Sequence, residues 1–316
     1  MSEHLTHMGA FEDVARLVLY SGVLNAPLER SLTSYYDTAL LATSSRGNHY
    51  FGVPLLEEVR DRRPAQGEVH EKDQQLVAAS LGWLAHRATD HKLDDELVPK
   101  IEQLREEEQL SEEEANIDEH QIYEDAIVFR EVYDEGRRST QSAHESLSPA
   151  TLARHMNTHP GASAVDIEHI ELLFGALWQR KILQLQQFAD GLDDDPEAWI
   201  DTALQRRQVF SEDLELYVEA FQNPDPEKMR YYNEEVNTYD ASDPIIRLAR
   251  ALQTGDDPLP SIEIKEALAA AETQSAYARA LRQGYLNMKG ARDFFVDDIQ
   301  KNDLYAIVDM EESNRY

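Results

Sequence analysis

The stretch Leu81-Gly82-Trp83-Leu84-Ala85-His86-Arg87-Ala88-Thr89-Asp90-His91 is an apolar helical run in which a histidine is followed four residues later by an aspartate. Because one helical turn takes about 3.6 residues, His86 and Asp90 project from the same face of the helix. Burying an imidazole and a carboxylate costs free energy unless both are satisfied. A bound divalent metal would satisfy both side chains, and so would a hydrogen bond between them. The run itself leaves these alternatives open.

The same helical periodicity extends over most of the chain. Apolar residues three and four apart, interrupted by turns rich in Gly, Pro and Asp, predict helices over residues 11–24, 35–42, 74–90, 119–136, 165–188, 197–221, 226–239, 243–252 and 263–287. The sequence shows no alternation of apolar and polar residues beyond four positions, no glycine-rich phosphate loop and no repeat of fixed period. We therefore predict an all-α fold, built as a multi-helix bundle.

The charge of the chain limits the kinds of partner that the protein can bind and indicates the environment in which it works. The chain has 30 basic and 61 acidic residues, which gives a formal net charge of −31. Such a field repels phosphate backbones and anionic lipid surfaces, so broad nucleic-acid binding is not expected. It also suits a halophilic or salt-tolerant source, because salt screens the self-repulsion. With no secretory signal and no apolar stretch near the roughly 18 residues of a membrane span, we expect a cytoplasmic protein.

The residues available as metal ligands are limited to His, Asp and Glu, because the chain contains no cysteine. Such ligands suit zinc, manganese or iron at a catalytic site better than a closed structural zinc site. All 11 histidines precede residue 170, an asymmetry that chance would also allow. We expect a metal-binding helical core in residues 1–140, followed by a helical continuation or second helical subdomain in residues 141–316.

A second pair with the same spacing is His120 and Glu124, on the helix predicted over 119–136. Such a pair on its own is commonly found at a surface. Two helices that each present a histidine and a carboxylate one turn apart can, however, face one another in a bundle and hold metal. The further pair of His155 and His159 stands just before Pro160-Gly161, which indicates a helix end with two exposed imidazoles.

The order of these motifs resembles that of the zinc-dependent phospholipase C family, whose all-helical fold is shared with fungal single-strand-specific nucleases. The resemblance covers about residues 1–135 and rests on Leu5-Thr6-His7, the Gly-Trp-Leu-x-His-x3-Asp run and His-x3-Glu. It implies a centre of two or three zinc ions, with Asp90 as the bridging carboxylate and the ligands His7, His49, His86, Asp90, His120 and Glu124. Asp37 and His49 have roughly the spacing of the family's Asp…His pair.

One departure from the family bears on the choice of metal. Asp94, Asp95 and Glu96 occupy the stretch in which the family has another histidine. If Asp94 or Glu96 acts as an oxygen ligand, the site becomes harder and less selective for zinc, so that another divalent metal is an alternative.

The resemblance implies a metal-dependent phosphoester hydrolase, in which metal-activated water attacks a phosphodiester or phosphomonoester. Asp37 would be a ligand or the base that orients the water, and Arg46 and Arg87 would bind the substrate phosphate. A small soluble phosphoester fits as well as a phospholipid. The main alternative is a non-catalytic all-α scaffold or interaction protein with a degenerate metal site. A phosphohydrolase of the His-Asp type is disfavoured, because the chain contains no His-Asp dipeptide.

Overall fold

The computed structural model describes residues 4–43, 52–62, 69–95, 117–134, 224–256 and 258–308, together with the single positions 99, 103, 138 and 220. Within these residues every regular element is helical, which confirms the all-α prediction. The helices are α1 (His4–Ser21), α2 (Ala26–Ser34), α3 (Tyr36–Thr43), α4 (Gly52–Arg62), α5 (Glu71–Thr89), α6 (Ile117–Glu131), α7 (Pro226–Arg230), α8 (Pro244–Thr254), α9 (Ile264–Ala270), α10 (Ala276–Phe295) and α11 (Lys301–Ile307). In this part of the chain no helix is long and apolar enough to cross a membrane.

Three short segments extend these helices with a different backbone pitch. A π-helical segment, Asp90–Asp95, continues α5, and a second one, Tyr231–Glu235, continues α7. The 3₁₀ turn Ala271–Thr273 follows α9.

One unit of the structure comprises residues 10–96 and 239–316, and α5 is its central helix. This helix contacts α2, α3, α4 and α10. Its apolar residues are accordingly buried around most of its circumference, among them Val77, Ala78, Leu81, Leu84 and Ala88. A helix that is apolar on nearly all sides is stable only in such an enclosed position.

The glycine of the opening run is required by the close packing of α3 on α5. A Cβ atom at Gly82 would clash with the carbonyl oxygen of Ala39, which belongs to the backbone of α3 and cannot rotate away. Gly52, at the start of α4, likewise leaves room for the ring of Trp83. The Gly-Trp pair therefore has a packing role that is independent of any chemistry at His86.

Helix α10 joins distant parts of the chain in the same unit. The buried side chain of Asn287 donates a hydrogen bond from Nδ2 to the carbonyl oxygen of Leu84 on α5, at 3.0 Å. It also accepts one at 2.8 Å from Nε2 of Gln283. A buried amide costs little free energy when it is paired in this way.

The other unit comprises residues 1–9 and 97–238, of which the structure describes the start of α1, α6, α7 and the segment Tyr231–Glu235. Helix α6 contacts α7 and that segment. Tyr123 on α6 stacks on Tyr232, with ring centroids 5.2 Å apart. The apolar residues of this helix and of the turn that follows it are buried, at Ile122, Ala126, Phe129, Val132 and Tyr133.

The division between the units falls after Gly9, inside α1. That helix runs without interruption from His4 to Ser21. Phe11, Val14 and Val18, which follow the division, are fully buried.

Several elements differ from the sequence prediction for identifiable reasons. Helix α2 was not predicted, and Pro27 lies in its first turn, where its missing N–H is not needed. Asn25 caps that helix by accepting a hydrogen bond from the amide of Leu28. The single helix predicted over 263–287 is divided at Ser275, whose hydroxyl caps α10. Helices α4 and α11 were not predicted. The helices predicted over 165–188 and 197–221, except for position 220, and the boundary at 140 lie outside the described residues.

Candidate metal centre

The C-terminal end of α5 brings His86 and Asp90 together as the spacing predicts. Nε2 of His86 lies 3.1 Å from Oδ2 of Asp90, and the two side chains are 4 % and 17 % exposed. Asp90 is the first residue of the π-helical segment, which widens the helix immediately after the histidine. Short π-helical segments of this kind occur frequently at functional sites.

A second buried histidine lies on α1. His7 is 4 % exposed. His7, His86 and Asp90 each offer one ligand atom, and these three atoms lie within 4.8 Å of one another. Two ligands of the same zinc ion are at most about 4.4 Å apart, so small side-chain rotations would bring the three atoms to bonding distance. Within the described residues, this is the group of three potential ligands that meets the geometry of a metal site.

The donor set of the group fits a catalytic ion better than a structural one. Two imidazoles and one carboxylate bind zinc, manganese and iron(II). Three protein ligands also leave coordination positions open for water or substrate, whereas structural zinc sites are closed by four. The greater exposure of Asp90 indicates that the open side of the group is next to this carboxylate.

The second pair lies on α6, in the unit that also contains residues 1–9. His120 and Glu124 are both 1 % exposed, so the pair is buried and does not lie at the surface. Nε2 of His120 lies 4.0 Å from Oε1 of Glu124. This separation is too long for a hydrogen bond, but it falls within the range for two ligands of one metal ion.

The other site residues predicted from the sequence lie outside the three-residue group or outside the described residues. Asp37 is half-buried in the first turn of α3, and Arg87 is half-buried on α5, directly after His86. Neither carries an atom of the three-residue group. His49 and Arg46 lie outside the described residues, as do the side chains of Asp94, Asp95 and Glu96.

A buried charge network further along α1 was not predicted from the sequence. Asp13 accepts hydrogen bonds from Nη1 of Arg16 at 2.8 Å and from the hydroxyl of Tyr277 on α10 at 2.9 Å. It also pairs with Arg250 on α8. Nη2 of Arg16 lies 3.3 Å from Oε2 of Glu12, so that a second buried carboxylate joins the network. These contacts fix α1 to α8 and α10.

The network also controls the protonation of two tyrosines. Burial, and next the charge of Asp13, raises the pKa of Tyr277 well above its ordinary value of 10.0. Burial, and next the charge of Glu12, does the same to the pKa of Tyr36 on α3. Both phenols therefore stay neutral through the physiological range.

In comparisons with known proteins, no protein-family model, no curated protein and no solved structure matches this chain.

Proposed function

We propose that this chain is a metal-dependent phosphoester hydrolase whose metal centre is formed by His7, His86 and Asp90. The single observation that supports the proposal is the convergence of these three ligand atoms within 4.8 Å. The resemblance to the zinc-dependent phospholipase C family supplies the class of reaction. The pair of His120 and Glu124 would hold a further ion, and the ion we propose is zinc or another divalent metal with the same ligand preferences.

The residues around the centre have complementary roles in this proposal. The imidazoles of His7 and His86 bind in their neutral form, and Asp90 contributes the negative charge. When bound, a divalent ion would supply Lewis acidity at a phosphoryl oxygen and lower the pKa of water toward neutrality. Arg87 would bind the substrate phosphate through charge-assisted hydrogen bonds. Asp37 would orient the attacking water from α3, a helix that contacts α5.

The electrostatics favour a small substrate over a polymer or a membrane surface. A net charge of −31 repels extended anions at long range. The positive charge of an ion acts over a few ångströms, so it can offset that repulsion for a single phosphate but not for a row of them. We therefore propose a small phosphodiester or phosphomonoester as the substrate.

One observation favours the alternative of a metal-free helical scaffold. The 3.1 Å contact between Nε2 of His86 and Oδ2 of Asp90 pairs the two side chains directly, and the preceding Gly82-Trp83 pair is explained by packing. In this alternative the motif stabilises the end of α5 and binds nothing.

Metal content and hydrolysis distinguish the two proposals. Protein purified without a histidine tag would be measured by elemental analysis and assayed with bis(p-nitrophenyl) phosphate before and after chelation. A hydrolase should contain bound metal and lose activity on chelation. His86→Ala should reduce metal affinity by about 100-fold or more, because removing a ligand costs more than removing a group behind one. His70→Ala is the matched control, since His70 is exposed at the other end of α5. Metal-free, inactive protein after incubation with zinc would refute the hydrolase.

A further inference from the structure

A buried carboxylate on α6 holds the first turn of α1. Oδ1 of Asp125 accepts two hydrogen bonds from Thr6, one from the backbone amide at 2.8 Å and one from the hydroxyl at 2.7 Å. The two residues are 119 positions apart, and both are almost completely buried. Both donors of a single residue are therefore bound by one acceptor atom.

The position of Thr6 in α1 explains why a carboxylate is suited to this role. Thr6 is the third residue of the helix, and the first four amides of an α-helix have no acceptor within it. The partial positive charge at a helix N-terminus also stabilises a nearby carboxylate. Because the two bonds engage the backbone and the side chain together, neither rotation nor sliding of the first turn is possible without breaking both.

We propose that Asp125 is a positioning residue for the metal centre, because the residue that it fixes precedes His7. This inference rests on the proposed function in one respect, namely that His7 binds the metal. Groups that orient a metal ligand from behind it contribute about 10- to 100-fold to metal affinity. Asp125 acts through the backbone of α1 and not through a bond to the imidazole itself.

The chain offers a matched control for the test. Oδ2 of Asp243 accepts hydrogen bonds from the amide and the hydroxyl of Ser275, at 3.2 and 2.6 Å, just before α10. Asp243 and Ser275 are also buried. Asp125→Ala and Asp243→Ala therefore remove the same kind of interaction, but only Asp125 is attached to the turn that carries His7.

The experiment measures the dissociation constant for zinc by competition with a chromophoric chelator, and the melting temperature of the metal-free protein. Asp125→Ala should weaken zinc binding by about tenfold or more. Asp125→Asn should retain most of the affinity, because an amide oxygen accepts the same two hydrogen bonds. Asp243→Ala should lower the melting temperature and leave the zinc affinity unchanged. If Asp125→Ala does not fold, Thr6→Val replaces it, and a severalfold loss of affinity is expected from the missing hydroxyl.

Several outcomes would overturn the inference. Unchanged affinity in Asp125→Ala, or in Thr6→Val, would show that the contact does not position His7. If Asp125→Asn loses as much zinc affinity as Asp125→Ala, Asp125 is itself a metal ligand. If Asp243→Ala loses as much zinc affinity as Asp125→Ala, the effect reflects general stability and not the position of His7. A different result would refute the proposed function itself. In that case the wild-type protein binds no zinc, or the His7→Ala variant binds zinc as tightly as the wild type does.

Discussion

Substituting Gly82 by alanine should destabilise the protein even though alanine is the better helix former. The added Cβ would clash with the Ala39 carbonyl oxygen, so α3 and α5 must separate by about 1 Å or more to reach van der Waals distance. Overpacking in a core costs about 1–3 kcal/mol, and the upper end applies because the obstacle is backbone. Removing a glycine from a helix interior returns about 1 kcal/mol. The net loss is about 2 kcal/mol.

Urea denaturation followed by circular dichroism at 222 nm measures this difference. With a denaturant dependence of about 2 kcal/mol per molar urea, a loss of 2 kcal/mol lowers the midpoint by about 1 M. Gly290→Ala on α10 is the matched control. Its Cβ would meet only side-chain carbons of Ile307 and Leu304, at 3.0 to 3.2 Å, and those chains can move. If Gly82→Ala proves as stable as the wild type or as Gly290→Ala, the helices do not approach as closely as described.

Four further predictions concern the charge network, a surface ion pair, a buried tyrosine and the metal. Asp13→Asn should lower the free energy of unfolding by about 3 kcal/mol, because it removes the buried negative charge that Arg16 and Arg250 share. Lys301→Ala, which removes the surface pair with Glu57, should cost less than about 1 kcal/mol in the same urea assay. Above pH 10 the folded protein keeps Tyr36 protonated, whereas the unfolded chain releases the proton, so the free energy of unfolding should fall as the pH rises through this range. Tyr36→Phe should make this dependence on pH less steep, by up to about 1.4 kcal/mol per pH unit. Denaturation curves between pH 9.5 and 11.5 measure the difference. Zinc at about 100 times its dissociation constant should stabilise the wild type by about 2.7 kcal/mol in thermal melts and should leave His86→Ala unchanged.

Local periodicity was sufficient to predict the helices that carry the candidate site. The spacing in α5 and α6 predicted which residues share a face, and both His-carboxylate pairs are found on one face as expected. It did not predict the start of α1, because His4 and Thr6 give no apolar pattern. Their turn is held by Asp125, which lies 119 residues away and has no local signal.

The buried charge network could not be predicted from the sequence for the same reason, because its contacts join residues that are far apart in the chain. Glu12, Asp13 and Arg16 looked like the polar face of a surface helix. Only the arrival of Arg250 and Tyr277 from distant helices makes their burial tolerable. Pairing across more than 200 residues depends on how helices pack, and helical periodicity carries no information about that.

The hydrogen bond between Asn287 and Leu84 joins two helices that are synthesised at different times. The two residues are 203 positions apart. At the usual rate of synthesis, α10 leaves the ribosome about 10–40 s after α5. During that interval α5, apolar on nearly all sides, lacks one of the helices that cover it.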